Sequence, residues 1–235
     1  MKTPEIAGAD GCRSGWVVVR RTGSGPVQAE ILPDATTLIR SVTPSHLLLV
    51  DVPMGLTEAG PRRADRMARR FLGWPRMTSV FSAPIRPVLE AKNYSDASRV
   101  RRDVEDKGMS RQAWGITPKI REMDIAIREF DPGQSMVREG HPEVSFKAWA
   151  GNPMRNAKKK PAGRAERERL IAAHFGEDLI QGLWPQLRGR GVAKDDLVDA
   201  LAMLWSAERL RGGKVQVMPP VPEYDNRGLR MEIVY

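Results

Sequence analysis

Residues 47–53 read LLLVDVP: four apolar residues in a row, a carboxylate, and a proline two positions later. An unbroken apolar run of strand length fits a strand covered on both faces, as in the interior of an α/β sheet. A strand with one wet face would alternate instead. Pro53 has no amide hydrogen to give to a ladder, so the strand is expected to end there. The run therefore requires helices on two sides of a sheet, and the chain must supply them.

The flanking segments do so. EIAGAD (5–10) reads as a short strand ending on Asp10, GWVVVRR (15–21) as a β-branched strand after the GCRS turn, and VQAEIL (27–32) as a third with alternating character. Residues 34–41 predict a short helix. PRRADRMARRFL (61–72) predicts another, with Pro61 suited to a first turn. Residues 73–118 hold no sustained period and read as an irregular insertion with one helix near 95–107. In 118–130, Ile120, Met123, Ile127 and Phe130 recur at helical spacing. A strand near 135–139, a turn or helix start at His141-Pro142, and helices near 164–175 and 195–211 complete the order. A three-stranded meander followed by βα units makes a mixed sheet with helices on its faces. Residues 1–212 are read as a single domain and 213–235 as a C-terminal extension packed on its surface.

With 41% hydrophobic and 29% charged residues the composition is that of a globular protein. No apolar run approaches the roughly 20 residues that span a bilayer, and MKTPEIAGAD has no hydrophobic signal core, so a cytoplasmic protein without membrane contact is expected. One cysteine, Cys12, excludes an internal disulfide and a cysteine-cluster zinc site. The net charge of +9 suits a polyanionic partner such as nucleic acid, although charge also serves solubility. Part of it lies in RRADRMARR (62–70), RVRR (99–102) and RNAKKKPAGRAERER (155–169), the last read as a mobile basic loop leading into a helix.

The acidic residues carry the chemistry. Asp10 and Asp51 each close a predicted strand. If those strands are parallel neighbours, both carboxylates share the sheet edge where ligands bind in open α/β folds. KDDLVDALAMLW (194–205) sets Asp196 and Asp199 on one face of the last helix, one turn apart. Gathered carboxylates repel, each pair about 6 Å apart costing roughly 3 kcal/mol at an effective dielectric near 20. Protons or hard divalent cations such as Mg²⁺ or Mn²⁺ would relieve that repulsion. Each residue also has an ordinary reading. Asp10 could stabilise the bend at Gly11, Asp51 could cap its strand, Asp195 or Asp196 could cap the helix, and Asp199 could pair with a basic side chain.

GADGCRSGW, LLLVDVPMGL, RRADRMARRFLG, TSVFSAPIR, WGITPKIREMD, EGHPEVSF and KDDLVDALA, in that order, resemble the motifs of a bacterial and archaeal family described as predicted nucleases with an RNase H-like fold. The resemblance covers about residues 5–210. It implies a five-stranded mixed sheet, order 3-2-1-4-5, with helices on both faces. It also implies a site of acidic residues on the first strand, the fourth strand and the closing helix, positions matched by Asp10, Asp51, and Asp196 with Asp199. The closing helix resembles that of RuvC-type resolvases, which often carry Glu where this chain has Asp51.

Around that core, Glu143 of HPE (141–143) could join the site as a ligand or proton carrier, or form a buried salt bridge or a helix cap, and His141 is a weaker candidate. Arg62, Arg66 and Lys119 are candidate phosphate contacts, with a surface lysine the ordinary reading of Lys119. The function expected is metal-dependent hydrolysis of phosphodiester bonds in nucleic acid, with two divalent ions, Mg²⁺ or Mn²⁺, clamping the attacking and leaving oxygens. The alternatives are an actin-like ATPase or small-molecule phosphotransferase, which lacks a second domain and a Walker sequence here, and a non-catalytic nucleic-acid-binding module. Nucleophile catalysis by Cys12 is disfavoured because Asp10 lies beside it.

Overall fold

The computed structural model describes residues 5–42, 46–131 and 133–235. Its main sheet is built from β1 (Glu5–Cys12), β2 (Gly15–Thr22), β3 (Gln28–Leu32), β4 (Leu47–Asp51) and β5 (Val137–Glu139) in the order β3-β2-β1-β4-β5. The first three strands form an antiparallel meander, and β1–β4 and β4–β5 pair in parallel. The architecture is thus a mixed α/β one with the expected strand order.

Strand pleating divides the core in two. On one face Ile6, Val17, Val19 and Leu49 pack against helix α8 (Lys194–Arg211), α5 (Pro142–Ala150), α6 (Pro161–Phe175) and α7 (Leu179–Leu187). On the other, Ala7, Ala9, Trp16, Val18, Leu48 and Val50 pack against α1 (Ala35–Arg40) and α4 (Arg111–Phe130). The apolar run at 47–50 is indeed covered on both sides. Helix α8 is buried without interruption from Leu197 to Ala207, the pattern of a helix surrounded by protein. It reaches β1 because residue 8 is glycine. A Cβ there would lie 2.2 Å from the Leu204 amide nitrogen and 2.3 Å from the Ala200 carbonyl oxygen, closer than any side chain tolerates.

Three expectations are corrected. Helix α4 begins at Arg111, seven residues before Pro118, which lies inside it. Ser110 caps the new start by accepting the Ala113 amide hydrogen (3.1 Å), and Thr117 donates to the Ala113 carbonyl (2.9 Å) beside the gap left by the proline. The span 73–118 also contains α3 (Tyr94–Glu105), close to the helix expected there, while α2 (Arg63–Leu72) starts two residues after Pro61. Helix α7 has no counterpart in the sequence reading, since Gly182 and Pro185 disfavour it. Burial of Ile180, Leu183 and Leu187 against the α8 side of the core supplies what propensity lacks.

The tail is the third correction. It is not a surface extension: β6 (Val217–Tyr224) and β7 (Arg230–Val234) form an antiparallel pair whose Met218, Met231, Ile233 and Val234 are buried. Val234 also bridges Gly140, directly after β5, so the pair closes against that side of the main sheet.

Candidate functional site

Asp10 and Asp51 are register partners in the last pair of the parallel β1–β4 ladder; Asp51 ends β4, while β1, expected to end on Asp10, continues to Cys12 through its pairing with β2. Pleating then decides where they point. Asp10 shares the parity of Ile6, and Asp51 that of Leu49, so both carboxylates fall on the face covered by α8. Asp199 enters from the second turn of that helix, 1% exposed, with Asp10 and Asp51 partly buried below it. One carboxylate oxygen from each of the three lies within 4.8 Å of the others. The close approach permitted at Gly8 is what holds the helix at this height above β1.

Such crowding shifts all three groups. Burial, then Asp51, Asp199 and Asp196, push the Asp10 carboxyl well above the usual range. Burial raises Asp51 as well, with Glu143 adding to it and His141 and Lys158 opposing. Asp199 is pushed up to about 7, mainly by burial, with Lys158 restraining the rise. The Asp10 Oδ1 accepts the Gly11 amide hydrogen (2.7 Å), whereas the buried Asp199 Oδ1 has no hydrogen-bond partner. A buried, unpartnered carboxylate oxygen within a carboxylate cluster is unstable without a cation or a proton. The donor set is all oxygen, which suits hard divalent cations and not soft ones. These residues fit Mg²⁺ or Mn²⁺.

One residue of the site was not foreseen. Lys158 places Nζ 2.5 Å from Asp199 Oδ2. Burial works against its charge, but Asp199, Asp51 and Asp10 hold the ammonium protonated well beyond the ordinary lysine range. Its loop is anchored. The amide and side chain of Asn156 both donate to Glu166 (3.1 and 2.8 Å), and the buried Arg167 donates to the carbonyls of Asn156 and Gly163. The same Arg167 pairs with Glu143 at 2.5 Å. The sequence signal was the KKK run at 158–160, whose basic character gave no hint which lysine turns inward.

A family model described as "Protein of unknown function (DUF429)" matches residues 8–224. The chain belongs to this family. No curated protein and no solved structure matches it. The DUF429 match takes in Asp10, Asp51, Glu143, Lys158, Asp196 and Asp199, and stops at the end of β6, before β7.

In this DUF429 member the other expected residues separate into distinct roles. Asp196 is not the N-cap, which is Ala193; it stands at the third position of α8, where its Oδ2 accepts the Ala193 amide hydrogen (2.8 Å) and so still serves the helix start. It lies near enough to raise Asp10 but is not one of the three clustered groups. Glu143 is 6% exposed and bound to Arg167 through Oε1, the buried salt bridge that was its alternative reading; its buried Oε2 is unpartnered. His141 precedes α5 as its cap residue.

Arg62 is a correction: it is buried and cannot meet a phosphate. It donates to Asp65 and Glu139, both at 2.6 Å, and to the Met54 carbonyl. This network ties the end of β5 to the segment after β4, and sequence spacing gives no sign of a partner 77 residues away. Arg66 is exposed and its side chain donates to the nearby Pro61 carbonyl. Lys119 lies over the Trp16 ring (4.7 Å), pairs with Glu122 (3.3 Å), and its side chain borders Gly11 at the end of β1. The Cys12 thiol is raised by burial, and Asp196 pushes it the same way, so it is a poor nucleophile. Among the described residues no helix is long and apolar enough to cross a membrane.

Proposed function

We propose that this chain is a divalent-cation-dependent phosphodiesterase acting on nucleic acid, carried by an RNase H-like domain. The observation behind the reading is the convergence of Asp10, Asp51 and Asp199 from two adjacent parallel strands and the central helix, with ligand atoms within 4.8 Å. Asp10, Asp51 and Asp199 would hold Mg²⁺ or Mn²⁺. Such ions, when bound, acidify water and polarise the phosphodiester.

The chain's own residues do the rest. Asp10, fixed by the Gly11 amide, keeps one oxygen turned from that bond and holds its position rigidly at the strand end. Asp51 faces it across the ladder, so the two stay in register whatever the loops do. Asp199 is delivered by a helix buried without a break from Leu197 to Ala207, which excludes bulk water from that side of the cluster. Lys119, over Trp16 on the α4 face, borders Gly11 at the same end of β1 from the side opposite the carboxylates, where it is a cation for a phosphate backbone running past that edge. The net charge of +9 favours approach of a polyanion, although it is not specific to one.

The test uses the full chain, freed of contaminating nuclease, on single-stranded, double-stranded and branched DNA and on RNA. Mn²⁺- or Mg²⁺-dependent cleavage is expected, and Asp10→Asn and Asp51→Asn should each reduce it by about a hundredfold or more. Undiminished cleavage by folded Asp10→Asn removes the reading.

A further inference from the structure

We propose that Lys158 is a resident cation of the acidic site, taking the place of a second divalent ion, so that the centre binds one Mg²⁺ or Mn²⁺ instead of two. This rests on the metal reading above and revises the two-ion expectation. The geometry is specific. Lys158 Nζ engages Oδ2 of Asp199 at 2.5 Å and leaves the buried Oδ1 without a hydrogen-bond partner.

Ligand spacing supports a single ion. Oxygens about 2.1 Å from Mg²⁺ stand about 3 to 4.2 Å apart around it. The three carboxylates already offer one atom each within 4.8 Å, so a small closing-in would suffice. Charge argues the same way. Three carboxylates are neutralised by one ammonium and one divalent ion. A second divalent ion would leave the cluster strongly positive while Lys158 stayed in place.

The position of Lys158 is built into the fold. Arg167, 1% exposed, holds Glu143 at the start of α5 and the Asn156 and Gly163 carbonyls on either side of the lysine. Gly163 lets α6 start against this loop, since a Cβ there would lie 2.1 Å from the Ala157 carbonyl oxygen. The buried Asp199 and the partly exposed Lys158 side chain thus connect the cluster to the surface, where a substrate phosphate would arrive.

Mn²⁺ is titrated by calorimetry into the metal-free full chain, with electron paramagnetic resonance of the bound ion as a second readout. The wild type should bind one Mn²⁺ with a mononuclear spectrum. Lys158→Met should admit a second, spin-coupled Mn²⁺ and bind the first about tenfold more tightly or better. Lys158→Gln should do the same, and serves if the methionine variant does not fold. Lys158→Arg, which keeps the charge, should remain at one. Two ions in the wild type, or one ion in both neutral variants, overturns the inference and leaves the metal reading standing. No Mn²⁺ bound by any of these proteins, or binding unchanged in Asp10→Asn, overturns both.

Discussion

Asp10 and Asp51 sit directly opposite one another in the parallel register of β1 and β4, so the backbone hydrogen bonds of the sheet force two like charges together. A surface pair could turn apart. These two cannot, because each is fixed in a pleat facing α8, with Asp199 above. The site stores electrostatic repulsion that a cation would release.

Removing one of the carboxylates should therefore stabilise the metal-free protein while weakening its hold on metal. Asp10→Asn in EDTA at pH 7.5 is expected to gain about 1–3 kcal/mol in urea unfolding. It should also lose the stabilisation that millimolar Mn²⁺ is expected to give the wild type. Equal or lower stability of the variant without metal would contradict the repulsion described here.

The pH dependence has a definite sign. Asp199, lifted from 3.8 to about 7, keeps in the folded state a proton that the unfolded chain has already released. Its contribution to stability is full below about pH 4 and is lost as pH rises toward 7. Glu139, raised from 4.5 to about 7 chiefly by burial, acts in the same direction. Carboxyls held low, such as Asp34 and Asp225, have finished their opposite contribution by about pH 5. Metal-free protein should thus lose about 1–4 kcal/mol between pH 5 and 7, and Mn²⁺ should flatten that fall. Denaturant titrations at each pH check it, and stability rising through this window would refute it.

Arg62→Met should cost about 3–5 kcal/mol, because it strands Asp65 and Glu139 in the interior without their partner. Thermal unfolding would measure it. A loss under about 1 kcal/mol would show that the network does not need its arginine.

Gly8→Ala should be among the most disruptive single methyl additions in this chain. The new Cβ meets the backbone of α8, which cannot swing aside as a flexible side chain would. A cost of about 3 kcal/mol or more is expected, together with weakened Mn²⁺ binding as Asp199 is lifted from Asp10. A soluble variant with wild-type melting would show that α8 tolerates displacement from β1.

The division between sequence and tertiary structure follows the range of the forces. The run at 47–50 specified a doubly covered strand by itself, because burial on both faces demands apolar residues at every position. The strand-end placement of Asp51 was equally local, read from Pro53 beyond it, whereas Gly11 did not end β1, which runs two residues past Asp10 to Cys12 because its pairing with β2 continues. Helix α8 and its acidic first turns were legible in the same way. Which carboxylates meet was not. Asp196 and Asp199 are alike in one dimension, and only packing on Gly8 turned Asp199 inward and left Asp196 to accept the Ala193 amide hydrogen at the helix start. Arg62 and Lys158, both expected to be accessible, were drawn to interior carboxylates instead, the former buried among acids and the latter set into the cluster, through partners 77 and 41 residues away. Local propensity carries no information about such distant pairs; the closing of the chain on its core decided them.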